Sequence, residues 1–172
     1  MHIPGYFDLQ FEAVKDAFAE LFNDPQERGA ALCGQIGGET VLDLWAGMAD
    51  RDGQEPWHTD TILNLYSCTK AFTSAALALL ADQGAIRLDA PVRDILPGFR
   101  MHDDYATAHV TPRDMLLHRT GLPRYDALLA LRPDVSREEA VALLRHLPPN
   151  KELRAGFEYS NLMYVAAGRL AE

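Results

Sequence analysis

The spacing of apolar positions changes along the chain, and each change marks a different element. Phe7, Phe11, Val14, Phe18, Leu21 and Phe22 recur three or four residues apart, which predicts an amphipathic helix over 7–23 with Asp24-Pro25 as its stop. Two apolar runs, 30–36 and 40–48, then flank Gly37-Gly38, the pattern of a β-hairpin. The polar, turn-rich stretch 50–59 reads as a loop, and 62–66 as a short extended piece. The segment "NLYSCTKAFTSAALALLADQG" (64–84) predicts a helix from about 68 to 82, with Gly84 at its C-terminal cap. A turn and a helical fragment punctuated by Pro91 and Pro97 follow. Thr111-Pro112 opens a short helix over 113–118, with a stop at Gly121. Ser136-Arg-Glu-Glu139 is a capping box for a helix to about His146, ended by Pro148-Pro149. The last helix starts at Tyr159 or Ser160 and is still running at Glu172.

This pattern contains one strand pair, and an isolated hairpin is marginal in water. A sheet covering Leu42, Leu44 and Trp45 needs more strands, so residues 1–172 read as the N-terminal portion of a longer protein. Residues 1–60 supply a helix and hairpin of an α/β part, and 61–172 supply a mostly helical part. The hairpin is expected to leave an open edge and an exposed apolar face. Such a surface favours poor solubility, self-association or reliance on a C-terminal half that supplies strands.

Composition narrows the partners. Sixteen basic against 25 acidic residues give a net charge of −9 with no basic run, which argues against nucleic acid and anionic membrane. The longest apolar stretches, such as 75–81, are too short to span a bilayer. The N-terminal "MHIPGYFDLQ" has neither the basic nor the apolar region of a secretory leader. Cys33 and Cys68 lack disulfide-framework or metal spacing and read as small buried hydrophobes, so a reducing, cytoplasmic setting with no metal or cofactor is expected.

The candidate chemistry starts at Ser67 and Lys70. A Ser-x-x-Lys match arises by chance on the order of once in a chain this size, but here it sits where an extended segment enters a helix. Lys70 lies one turn beyond Ser67, in a first turn whose dipole disfavours positive charge and so favours loss of its proton. The plainer alternative is Ser67 as an N-cap and Lys70 reaching to solvent. A second loop-to-helix junction, Tyr159-Ser160-Asn161, follows about ninety residues on. Between them "VTPRDMLLHRTGLPRYD" ends a short helix at His118-Arg-Thr-Gly-Leu122.

Together these motifs resemble the penicillin-recognising serine hydrolases, namely class C β-lactamases, DD-peptidases and family VIII carboxylesterases. The stretch from Cys33 to Lys70 looks most like the esterase branch. The resemblance implies a β-lactamase/transpeptidase-like α/β (α+β) fold, an antiparallel sheet flanked by helices plus a mostly helical domain. It also implies Ser67 as nucleophile, Lys70 as base partner, Tyr159 as a second acid/base, and Asn161 as a substrate-side amide. Substrates would be small esters, with amides or β-lactams as further candidates. The family's third motif, which supplies an oxyanion-hole donor from an edge strand, lies downstream of Tyr-x-Asn and has no counterpart after Asn161. One such donor is worth roughly 10²–10³ in rate, so the 172-residue chain alone is expected to be weakly active or inactive. A non-catalytic binding or sensor domain on the same scaffold, or an inactive fragment, is the competing reading.

Other residues carry less. Cys68 has no accompanying His signature of a thiol enzyme. Asp114 and His118, four apart on a predicted helix, read as a local pair without the Gly-x-Ser-x-Gly elbow of a Ser-His-Asp enzyme. His102-Asp103-Asp104 reads as a solvated loop rather than a metal site, and Ser160 as an N-cap.

Overall fold

The computed structural model describes residues 2–132 and 134–172. The chain divides into two compact units, Met1–Asn64 and Leu65–Glu172.

In the first unit, β1 (Gly5–Phe7) precedes α1 (Glu12–Glu20), and β2 (Gly29–Ile36) and β3 (Glu39–Gly47) form the hairpin. The strands pair antiparallel in the order β1-β3-β2, with Gly5 and Leu32 both opposite Leu44. Gly37 and Gly38 turn the hairpin with φ of 59° and 89°, values that favour glycine. Alternation along β3 sends Leu42, Leu44 and Ala46 to one face, where they pack with Phe18 of α1.

Two expectations change here. The helix begins at Glu12, because Phe7 belongs to β1 and a 3₁₀ turn over Leu9–Phe11 intervenes. The apolar face of the hairpin is also not exposed. Leu44 is 1% accessible and Leu42 7%, because α1 and the added strand cover them. β2 does lie at the edge of the sheet. Cys33 is exposed as well, since it points away from the covered face.

The second unit is helical: α2 (Thr69–Asp82), α3 (Val92–Ile95), α4 (Asp104–His109), α5 (Pro112–Leu116), α6 (Asp126–Leu131), α7 (Arg137–Leu143) and α8 (Asn161–Leu170). Its core gathers Leu77, Phe99, Met115, Leu122, Leu144 and Met163, all nearly inaccessible. Capping chemistry sets several helix starts. Thr111 with Asp114, and Ser136 with Glu139, form capping boxes, and the Asp103 side chain accepts from the Ala106 N–H. Asp103 thus caps α4, a helix the hydrophobic pattern does not reveal. Gly84, at φ 72°, follows the end of α2.

Three boundaries differ from expectation. No strand forms over 62–66. α5 ends at Leu116, because His118 takes a left-handed φ of 55°. α8 ends at Leu170, and the Ala171 N–H closes a tighter last turn on the Gly168 carbonyl. No helix among the described residues is long and apolar enough to cross a membrane.

Candidate active site

Ser67 lies in a single 3₁₀ turn, Tyr66–Cys68, immediately before α2. Tyr66 enters that turn at φ 45°, a costly conformation for a bulky residue. The Ser67 hydroxyl caps nothing. It meets the Tyr159 hydroxyl at 2.7 Å and accepts from Lys70 Nζ at 3.1 Å. Lys70, the second residue of α2, also donates to Asn161 Oδ1 at 2.6 Å. Asn161 is the first residue of α8. Ser67, Lys70, Tyr159 and Asn161 therefore converge, drawn from two helix starts about ninety residues apart.

Packing between α2 and α8 sets this approach. Tyr164, one turn into α8, donates its hydroxyl hydrogen to the Leu116 carbonyl at 2.9 Å and accepts from Ser74 of α2 at 3.2 Å. Lys70 Nζ lies 4.9 Å from the centre of the Tyr159 ring and 5.4 Å from that of Tyr164, both within cation–π range. The neighbouring positive charge has an electrostatic result. Lys70, above all, and the hydrogen bond from Ser67 hold the Tyr159 phenol below its ordinary pKa, and Arg124 adds to the effect. The Arg124 guanidinium sits 5.2 Å from the centre of the same ring.

His118 does not pair with Asp114. Its Nδ1 accepts the Ser160 backbone N–H at 3.1 Å, and its ring lies 4.5 Å from that of Tyr159. An accepting Nδ1 places the ring hydrogen of neutral His118 on Nε2. Burial, and secondarily the Lys70 charge, push the His118 pKa down. The His118 carbonyl accepts from Glu158 N–H at 2.8 Å and that of Arg119 from Arg154 N–H at 2.7 Å, so the loop carrying Tyr159 is stitched to the loop after α5. Gly121, at φ 77°, permits the closest part of this contact. A Cβ there would lie 2.0 Å from the Lys151 carbonyl oxygen.

Asp114 instead anchors these loops from below. Its side chain is fully buried and accepts from Arg119 at 2.7 Å, Arg154 at 2.8 Å and the Thr111 hydroxyl at 2.8 Å. Burial alone would raise its pKa, but the hydrogen bonds from Arg154, Thr111 and Arg119 outweigh that and hold it at about 2. Sequence reasoning missed the roles of His118, Arg124 and Asp126. Only the quoted run "HRTGLPRYD" hints at them, because their partners lie 35 or more residues away.

Ser160 occupies the N-cap position of α8, but its hydroxyl caps nothing and is buried without a hydrogen-bond partner. Cys68 is exposed, contrary to its reading as a buried hydrophobe. No cluster of three or more His, Cys, Asp or Glu able to hold a metal occurs among the described residues.

Comparison with known proteins agrees with this architecture. The family described as Beta-lactamase matches residues 14–172. An esterase/β-lactamase of Mycobacterium tuberculosis, LipL, is 37% identical over 118 residues, which cover 69% of this chain and 27% of LipL. A family VIII carboxylesterase of known crystal structure superposes with a TM-score of 0.80 at 32% identity, covering 99% of this chain and 46% of that one. A penicillin-binding protein homologue from Caulobacter crescentus gives a TM-score of 0.81 at 30% identity, with the same two coverages. The chain thus spans less than half the length of these relatives. Its fold is β-lactamase/transpeptidase-like, and the chain belongs to the Beta-lactamase family of serine hydrolases.

Proposed function

We propose that this chain carries the nucleophile and proton-transfer groups of a serine hydrolase that works by acyl transfer through a covalent Ser67 ester. Small esters are its preferred substrates, and amides or β-lactams are the alternatives. The observation that carries this reading is the Ser67 hydroxyl held at once by Lys70 Nζ and the Tyr159 hydroxyl. A serine hydroxyl is a weak nucleophile until a neighbouring base can take its proton, and both candidates stand within direct reach.

In the first step the Lys70–Tyr159 pair, one proton short, takes the Ser67 proton as Oγ bonds to the substrate carbonyl carbon. The carbonyl π pair moves onto oxygen. As the tetrahedral species collapses, the bond to the leaving alkoxide breaks and the pair returns the proton to it, with the Tyr159 hydroxyl as the exposed donor. Water then attacks the Ser67 ester by the reverse sequence. Both groups contact the Ser67 hydroxyl directly, so the proton is assigned to the pair rather than to either group. Asn161 fixes the Lys70 amine from the opposite side. Similarity to an esterase/β-lactamase and to a family VIII carboxylesterase supports the ester preference.

The test is covalent labelling of the full-length protein with a fluorescent fluorophosphonate, followed by peptide mass spectrometry and by turnover of p-nitrophenyl acetate. An adduct on Ser67 that Ser67→Ala abolishes is the expected result. Labelling at Cys68, or turnover that survives Ser67→Ala, overturns the assignment.

A further inference from the structure

Lys70 is useful as a proton acceptor only if its lone pair faces Ser67. The amine has other neighbours competing for that lone pair, and Asn161 is the nearest at 2.6 Å. A primary amide presents an acceptor on one side and two donors on the other. If its NH₂ faced Lys70, it would hydrogen-bond to the lone pair and draw it away from the serine. If its oxygen faces Lys70, the amine must spend one N–H on it, and the lone pair remains free to turn toward Ser67.

One side chain decides between these orientations. Asp126, the first residue of α6, accepts from Asn161 Nδ2 at 2.7 Å through Oδ1. An ionised carboxylate can only accept, so the amide must present its NH₂ to Asp126 and its oxygen to Lys70. The second carboxylate oxygen accepts from Arg124 Nε at 2.7 Å, which fixes the carboxylate plane. Tyr125, just before Asp126, adopts the left-handed conformation at φ 46° and brings the α6 start to the site. Arg124 then returns to the Tyr159 ring. A closed circuit results: Ser67, Lys70, Asn161, Asp126, Arg124, Tyr159 and back to Ser67.

We infer that Asp126 is a positioning residue that locks the Asn161 amide and thereby aims the Lys70 amine at Ser67. This rests on the acyl-transfer reading above. It differs from a merely structural role because Asp126 reaches Lys70 through Asn161, so its effect on acylation depends on that amide.

The experiment is a double-mutant cycle in the full-length protein, using single-turnover acylation by p-nitrophenyl acetate. Asp126→Asn keeps the shape but allows either amide orientation, and Asp126→Ala removes the acceptor. Each is expected to slow acylation tenfold or more, with KM changed less than about threefold and the thermal unfolding midpoint retained. In an Asn161→Ala background the same two substitutions are expected to add less than twofold. An undiminished effect of Asp126→Ala in that background, or no effect in the parent protein, overturns the inference. The Asn161 side-chain amide in ¹H–¹⁵N spectra gives a readout free of activity: its hydrogens are expected to be slow to exchange, and fast in Asp126→Ala. If the parent protein takes no label on Ser67, acyl transfer has failed, and the exchange of this amide still decides whether Asp126 holds it.

Discussion

His118 Nδ1 accepts the backbone N–H of Ser160 at 3.1 Å, joining the start of the loop after α5 to the residue between Tyr159 and Asn161. The histidine is buried, left-handed in its backbone, and packed against the Tyr159 ring. Three properties are therefore required at one position: tolerance of positive φ, an acceptor one bond beyond Cγ, and a flat ring.

Substitutions separate these properties. His118→Phe keeps the ring but leaves a buried N–H without an acceptor, a loss of about 1–3 kcal/mol of stability. His118→Asn keeps an acceptor near the place of Nδ1 and suits the left-handed conformation, so it should recover most of that loss. Denaturant unfolding of the two variants checks the order. An Asn variant no more stable than the Phe variant would remove the hydrogen bond from the explanation.

The same histidine predicts a pH effect on stability. Its folded-state pKa is depressed, so between that value and the ordinary 6.5 the unfolded chain binds more protons than the folded one. Stability contributed by neutral His118 is present above about 6.5 and is lost as pH falls below it. The slope of unfolding free energy against pH over 5–7 should be shallower in His118→Asn than in the parent.

Asp114 gives the opposite kind of titration. With a folded pKa of about 2 against 3.8, its contribution is present above pH 4 and is lost as pH falls through about 2. The shift corresponds to about 2 kcal/mol. Asp114→Asn should cost about 2–4 kcal/mol, toward the low end because Arg119 and Arg154 keep partial access to water. Its acid-unfolding curve should flatten below pH 4. Urea denaturation at pH 7 and pH 3 measures both.

For the reaction itself, Lys70→Ala should lower acylation by about 10²–10⁴, while Cys68→Ser should leave it within about twofold. The rate should rise with pH as the Lys70–Tyr159 pair loses a proton. Arg124→Ala removes a positive charge near Tyr159, so it should move that acid limb to higher pH. A pH–rate profile displaced downward instead would contradict the electrostatic account.

Exposed apolar surface lies along α2 rather than on the hairpin face that carries Leu42 and Leu44. The hairpin face is covered, but Leu65, Tyr66, Phe72 and Leu79 at and along α2 remain exposed, Phe72 to 65%. Residues 1–172 should therefore bind a hydrophobic dye, and Phe72→Lys should reduce that binding without lowering the unfolding midpoint. Dye fluorescence unchanged by the substitution would place the exposed surface elsewhere.

How much of this was legible in the sequence depended on the range of the interaction. The Gly37-Gly38 hairpin, the Thr111 and Ser136 capping boxes and the long α2 pattern are local, and each was readable within a few residues. The two motifs at Ser67 and Tyr159 were readable as candidates, because both stand at helix starts. β1 was hidden: three residues are too few for a period, and Phe7 matched the helical spacing that follows. Tyr66, His118 and Tyr125 adopt left-handed conformations that the local pattern does not announce. Asp126 was hidden for the same reason, since the amide it orients lies 35 residues later.

The anchoring of Lys70 and Asn161 in the first turns of α2 and α8, braced by Tyr164 between Ser74 and Leu116, has an evolutionary consequence. The Lys70–Asn161 approach is set by two packed helices, whereas His118, Arg124 and Asp126 reach the site from the 118–126 segment. Under the proposed acyl transfer, changes to that segment would retune proton placement and the approach of a substrate while Lys70 and Asn161 hold station. Descendants of such a scaffold are free to diverge in selectivity without reinventing the reaction.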